Sequence, residues 1–303
     1  MKEKSMTAMV SAFARAYHNE NNDKKIFEDS LARKILGDDY NTVSIHMSSG
    51  VKFFNPTFQG SSSAGLKWVV DNYLSPSTLG RAAFAEKALE NAVKIGAEQY
   101  IIFAAGYDSF PYRRPEWASN LPIFEVDHPY TSQDKQHRLK AADINISEFT
   151  HYIPVDFNNT EWKSSLKNHK DYSTKKKSFC SLLGLTYYLS NESFSSMLAN
   201  ISDIMPKGSS LVFDYPDEYY YTEQADERVK KQALLAGKTG EKMLACYSYN
   251  QLERLLPDNG WLIYEHLCPE QITESFFRDY NFSNPSCPII AFNNVNFCLA
   301  VKR

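Results

Sequence analysis

Three observations predict an α/β fold with a doubly wound, mostly parallel sheet. Residues 100–106 (YIIFAAG) and 123–127 (IFEVD) are near-continuous apolar runs, as in parallel strands buried on both faces. Further runs at 151–155, 178–185, 210–214, 261–266 and 296–301 alternate with helical periodicity, the βαβ pattern. Gly106 ends the first run, and an acidic residue, Asp127, ends the second about 20 positions later, the spacing at which a strand-tip carboxylate meets the hydroxyls of a ribose. Seven strands ending in a pair that flanks Pro285 and Pro288 suit a sheet whose last strand runs antiparallel better than one of six parallel strands.

The elements before the sheet are helical. Met6, Met9, Val10, Phe13 and Tyr17 recur at spacings of three and four, so residues 5–20 form an amphipathic helix capped by Ser5 or Thr7. A second helix spans 27–36 and stops at Gly37. The polar, Gly- and Ser-containing stretch 44–63 is expected to be a loop or hinge, and 64–97 a helix broken near Pro76 and Gly80. Residues 1–95 are therefore expected to form a helical cap, and 96–303 the sheet-bearing core. The insertion 216–250, with Tyr219, Tyr220 and Tyr221 and a charged helix, is expected to act as a lid.

Composition narrows the function. With 43% hydrophobic and 23% charged residues the chain has the make-up of an ordinary soluble globular protein, and 303 residues can bury a sizeable core. A net charge of −3 leaves no general affinity for nucleic acid, and Lys175, Lys176 and Lys177 read as a solvated turn before a strand. Five widely spaced cysteines without a C-x-x-C pair argue for a reducing compartment, buried thiols and no metal site. No run approaches the ~20 apolar residues of a membrane span, and the N-terminus lacks a signal-peptide core, so the chain is expected in the cytoplasm, off the membrane. The sequence sets no oligomeric state.

Ligands of open α/β sheets bind outside the carboxyl ends of the strands. In order, the five strand ends leave Ala105 and Gly106, Asp127 and His128, Asp156 and Phe157, Leu183 to Leu185, and Asp214 and Tyr215. Asp127 and Asp156 together suit a ribose and an adenine, with Phe157 against the ring; alternatively each aspartate caps the following helix. No G-x-G-x-x-G fingerprint surrounds Gly106, where Ala104, Tyr107 and Ser109 stand. That favours an adenosine-type ligand without a pyrophosphate.

Several blocks, in order, resemble one family. Ser5-Met6-Thr7-Ala8 with Arg15-Ala16, then Asp29 to Ala32, are similar to the N-terminal helices of the leucine carboxyl methyltransferase family, which includes bacterial natural-product O-methyltransferases. Arg81 with Glu86 is similar to its Arg-Thr-x-x-x-Asp helix, 104–113 (AAGYDSFPYR) to its glycine-containing turn, and 125–129 (EVDHP) to its Glu-Val-Asp-x-Pro block. Residues 155–157 (VDF) with Trp162, 181–190 (SLLGLTYYLS) and 240–243 (GEKM) complete a resemblance that covers nearly the whole chain. It implies a seven-stranded, Rossmann-like methyltransferase sheet with an N-terminal helical cap, using S-adenosylmethionine to methylate a carboxylate or hydroxyl of a small molecule.

The resemblance also implies roles. Arg81 would bind the methionine carboxylate, Ala105 and Gly106 would pass under the cofactor, Asp127 beside His128 would hold the ribose, and Asp156 and Phe157 would meet adenine. Ala104 replaces the family's first glycine, which is expected to be tolerated if φ stays negative there; Leu183 replaces a glutamate near the methionine amino group. Read without the family, Arg81 is a surface charge or an ion-pair partner, with Glu86 as a candidate partner. Should the acceptor need a base, His128, Tyr188 and Tyr215 are the candidates at the mouth. The rival readings are a nicotinamide-dependent oxidoreductase and a non-catalytic cofactor-sensing or partner-binding module with a degenerate site.

Overall fold

Continuous apolar runs give strands with two buried faces, and β1 (Gln99–Phe103) shows how. Ile101 and Phe103 enter one hydrophobic core while Tyr100 and Ile102 enter the other. The computed structural model describes residues 5–157, 161–238, 243 and 245–303. The remaining strands are β2 (Ile123–Asp127), β3 (Thr150–Pro154), β4 (Ser178–Leu182), β5 (Ser210–Pro216), β6 (Trp261–Leu267) and β7 (Val295–Lys302). They form one seven-stranded sheet in the order β3-β2-β1-β4-β5-β7-β6, with β7 antiparallel to both neighbours. Strand order reverses between β1 and β4, and there the carboxyl ends open a crevice.

Helix α1 (Met6–Asn21) starts at Ser5, whose Oγ accepts the N–H of Ala8 at 3.3 Å. Helix α2 (Ala32–Leu36) begins later than the apolar pattern suggests, because Asp29 Oδ1 accepts the N–H groups of Leu31 and Ala32 and fixes the start there. It ends at Gly37, where φ is +54°. The stretch 44–63, expected as loop, is mostly helical: α3 (Asp39–Ser49) and α4 (Val51–Phe54) occupy its first part. Only Val43 of α3 is buried, so its sequence lacks an apolar stripe and reads as loop.

Helix α5 (Ser62–Val69) runs through a π-helical turn (Val70–Leu74) into α6 (Ser75–Lys94), without the expected break at Gly80. The irregularity falls just ahead of Pro76, which has no N–H to give an α-ladder. Gly80 serves close packing instead, since a Cβ there would lie 3.0 Å from the Phe277 ring. A separate core unites α1 to α5 with the π turn, whereas α6 packs on the sheet through Phe84, Ala88 and Leu89.

Beyond β1 come α7 (Phe110–Arg113), α8 (Pro129–Ala141), α9 (Glu161–Lys167), α10 (Asn191–Ile204), α11 (Glu227–Lys238) and α12 (Tyr249–Asp258). Lys175 and Lys176 lie in a turn and bend ahead of β4, with Lys177 joining them to the strand. All five cysteines are unpaired. Cys180 and Cys298 are buried, but Cys287 is exposed, which corrects the expectation of buried thiols throughout. Among the described residues no helix is long and apolar enough to cross a membrane.

Candidate active site

Asp127 is the last residue of β2, and its carboxylate is positioned by backbone alone. Oδ2 accepts the N–H of Gly106 and Oδ1 that of His128, each at 2.6 Å. A carboxylate has about four acceptor positions, so two remain for a ligand's hydroxyls. Burial pushes the Asp127 carboxyl above its usual range, and the two N–H bonds oppose that. Gly106 reaches the carboxylate with φ at +49°, and a Cβ on it would lie 3.1 Å from Ala8 Cβ. Ala104 does not meet the condition of a negative φ. Its φ is +51°, a left-handed conformation that costs a residue with a Cβ roughly 1–2 kcal/mol.

A cavity of about 820 Å³ opens at this edge, and nearly every residue singled out from sequence lies in its wall. Arg81, Ala105, Gly106, Asp127 and His128 line it, as do Asp156, Phe157, Leu183 and Tyr188. The Phe157 ring stands 6.4 Å from that of Phe103. His128 also caps α8, its Nδ1 accepting the N–H of Tyr130 at 3.3 Å.

Tyr215 is the exception. It is buried away from the cavity, with its hydroxyl 2.7 Å from His266 Nε2. Successive strand residues point to opposite faces, so with Asp214 on the cavity side Tyr215 falls on the other. Of the 240–243 block only Met243 is described, and it lines the cavity; residues 240–242 lie outside the described residues.

Arg81 does not pair with Glu86. Its Nη1 lies 3.3 Å from Asp214 Oδ2 and its Nη2 donates to Ser11 Oγ at 3.2 Å. Gly184 packs on the guanidinium so closely that a Cβ there would lie 2.7 Å from Nη1. Glu86 pairs with Arg113, which also reaches Ser109 and Asp29. Burial pushes Glu86 up to about 7 although Arg113 pulls the other way.

Asp214 had no role in the sequence reading, yet it anchors Arg81, and its signal was the strand-tip carboxylate itself. The far wall carried no such signal. Val43, Met47, Phe54, Tyr73 and Leu74 come from the helices before the sheet, and Gln232, Leu235 and Ala236 from α11. Lys231 of α11 donates to the Phe54 carbonyl at 2.8 Å and joins the two groups.

Known proteins resemble this chain in sequence and in fold. Residues 8–202 match the family model described as leucine carboxyl methyltransferase. Over 307 residues, 99% of both chains, the sequence is 39% identical to the "Putative S-adenosyl-L-methionine-dependent methyltransferase YktD" of Bacillus subtilis (strain 168). In fold it is similar to a DUF574 family protein from Streptomyces avermitilis, with a TM-score of 0.61 at 12% identity over 100% of this chain and 99% of that one. It is also similar to a "putative methyltransferase" from Thermobifida fusca, with a TM-score of 0.54 at 12% identity over 100% and 96%.

Proposed function

Because this chain belongs to the leucine carboxyl methyltransferase family and is an S-adenosylmethionine-dependent methyltransferase, we propose that it methylates an oxygen, a carboxylate or hydroxyl, of a small molecule with an apolar body. The observation that carries this reading is a single chamber that runs from the strand tips to an apolar wall built by the preceding helices and α11.

The residues present fit the cofactor. Asp127 is fixed with two acceptor positions to spare, and Gly106 leaves no Cβ on the chamber floor. Arg81 has five N–H donors, of which Asp214 and Ser11 take two. In this reading Arg81 binds the methionine carboxylate, Ala105 and Gly106 underlie the cofactor, and Asp127 with the His128 backbone holds the ribose. Asp156 meets the adenine amine and Phe157 the ring face, and a backbone carbonyl beside Leu183 accepts from the methionine amino group.

Bound S-adenosylmethionine supplies a methyl group on a positively charged sulfur for in-line displacement. The protein has to align the acceptor oxygen and exclude water, effects worth about 7–11 kcal/mol in well-oriented systems. Residues 1–95 serve as the cap and 216–250 as the lid over the core 96–303, ranges of which 1–4, 158–160, 239–242 and 244 lie outside the described residues, although α6 already packs on the sheet. A carboxylate acceptor arrives ionised and needs no base. His128 is poorly set up as a base, because its Nδ1 accepts from Tyr130 and the hydrogen of the neutral ring then sits on Nε2.

The test is formation of S-adenosylhomocysteine with a panel of apolar carboxylic acids, phenols and alcohols. Turnover of the acids above the others is the expected result. Turnover confined to amines or thiols would overturn the oxygen assignment, and cofactor binding without turnover of any acceptor would favour a sensing module.

A further inference from the structure

Far from the cavity, the fold gathers three ligating side chains that no short sequence spacing announces. His151 lies on β3 in register with Phe124, three residues before Pro154, which pairs with Asp127 at the strand tip. At about 3.3 Å per residue, His151 is about 10 Å from that tip, toward the amino end of the strand. His169 and Asp171 follow α9 in the turn before β4. One donor atom from each of the three lies within 4.8 Å of the other two. His151 Nδ1 is 3.6 Å and His169 Nδ1 3.9 Å from Asp171 Oδ2.

Donors around a tetrahedral zinc ion at about 2.0 Å stand about 3.3 Å apart, so the two histidine–aspartate separations close by a few tenths of an ångström, and the widest separation in the set by at most about 1.5 Å, within reach of side-chain rotation. The rings are already held. His151 stacks on Phe124 with centroids 4.9 Å apart and His169 meets the same ring edge-on at 5.5 Å, while the Asp171 N–H, which donates to His169 Nδ1 at 3.3 Å, has to release that nitrogen's one lone pair for it to ligate. Burial is graded across the set, with side-chain exposures of 13% for His151, 24% for His169 and 39% for Asp171. One side therefore faces water, which can complete the shell.

We propose that His151, His169 and Asp171 bind one zinc-like divalent transition-metal ion that clamps β3, an edge strand of the sheet, to the 168–172 turn. Two imidazoles and a carboxylate suit such an ion, whereas magnesium and calcium require mostly oxygen donors. The site is structural, since none of its residues touches the cavity. Lys170 and Arg114 act on His151 by charge and oppose a cation.

The test is titration of the metal-stripped, full-length protein with Zn²⁺ by calorimetry, alongside thermal melting. One equivalent should bind, and melting should rise by about 4 °C at a hundredfold excess of zinc over Kd. His169→Ala and Asp171→Asn, both on the turn, should each weaken zinc at least tenfold while leaving S-adenosylmethionine affinity unchanged. The inference is overturned if wild type binds zinc no better than these variants, or if a folded His151→Ala/His169→Ala double variant retains the site. An equal melting shift with Mg²⁺ would overturn the choice of metal.

Discussion

Two aspartates at two strand tips of this sheet are built alike and finish differently. Asp127 on β2 and Asp214 on β5 each accept, at 2.6 Å, the N–H of a left-handed glycine that follows the neighbouring strand. Gly106 after β1 serves Asp127 with φ at +49°, and Gly184 after β4 serves Asp214 with φ at +67°. Asp214 then takes the Tyr187 hydroxyl at 3.1 Å and Arg81 at 3.3 Å, and is fully buried. Asp127 takes only a second backbone N–H, and its rim reaches the cavity. A carboxylate neutralised by side chains becomes a pillar, whereas one held by backbone alone keeps acceptor positions for a ligand.

The largest effect should fall on the pillar. Asp214→Ala strands the half-buried Arg81 charge together with the Tyr187 hydroxyl and the Gly184 N–H, and we expect a loss of about 3–5 kcal/mol in denaturant unfolding. A loss below about 1 kcal/mol would remove the distinction between the two tips.

Asp127→Ala should weaken S-adenosylmethionine more than tenfold by calorimetry, because bound hydroxyls lose a carboxylate whose place water does not fill. The ionised form is the better acceptor, and burial raises the Asp127 pKa above its ordinary value. Affinity should therefore fall as pH is lowered, starting above the ordinary aspartate value of about 3.9, and Asp127→Asn should abolish that dependence. A wild-type affinity that stays flat down to the ordinary value would show that Asp127 does not meet the ligand.

Arg81 stands between the two cases, bound to the pillar yet lining the cavity. If its remaining donors hold a carboxylate, Arg81→Met should weaken S-adenosylmethionine about tenfold and adenosine by less than about threefold. Equal losses for the two ligands would make it part of the pillar alone.

Much of this contrast was legible in the sequence. Apolar runs place β1 and β2, and the spacing from Gly106 to Asp127 places the ligand-facing tip. What separates Asp214 from Asp127 was not legible, because it depends on Arg81, 133 positions away, arriving beside β5. The exclusion of Tyr215 from the cavity could have been read, since it follows from strand alternation once Asp214 faces inward. Residues 44–63 misled because α3 is polar nearly all round, and its contribution to the cavity wall is tertiary.

The smallest effect concerns strain, and it too separates the two tips. In the turn serving Asp127, Ala104 is left-handed two residues before Gly106, whereas in the turn serving Asp214 the matching residue, Leu182, still belongs to β4. Only the ligand-facing turn therefore carries a side chain in a costly backbone conformation, as is common where a loop is shaped for binding. Glycine would relieve roughly 1–2 kcal/mol of folded-state strain, but it also enlarges the unfolded ensemble by an amount approaching that. We expect Ala104→Gly to gain less than about 1 kcal/mol in denaturant unfolding, a rise of about 1 °C in melting for a chain of this length. A loss instead would mean that the Ala104 methyl makes packing contacts worth more than the strain, and that the turn is shaped by packing rather than for the ligand.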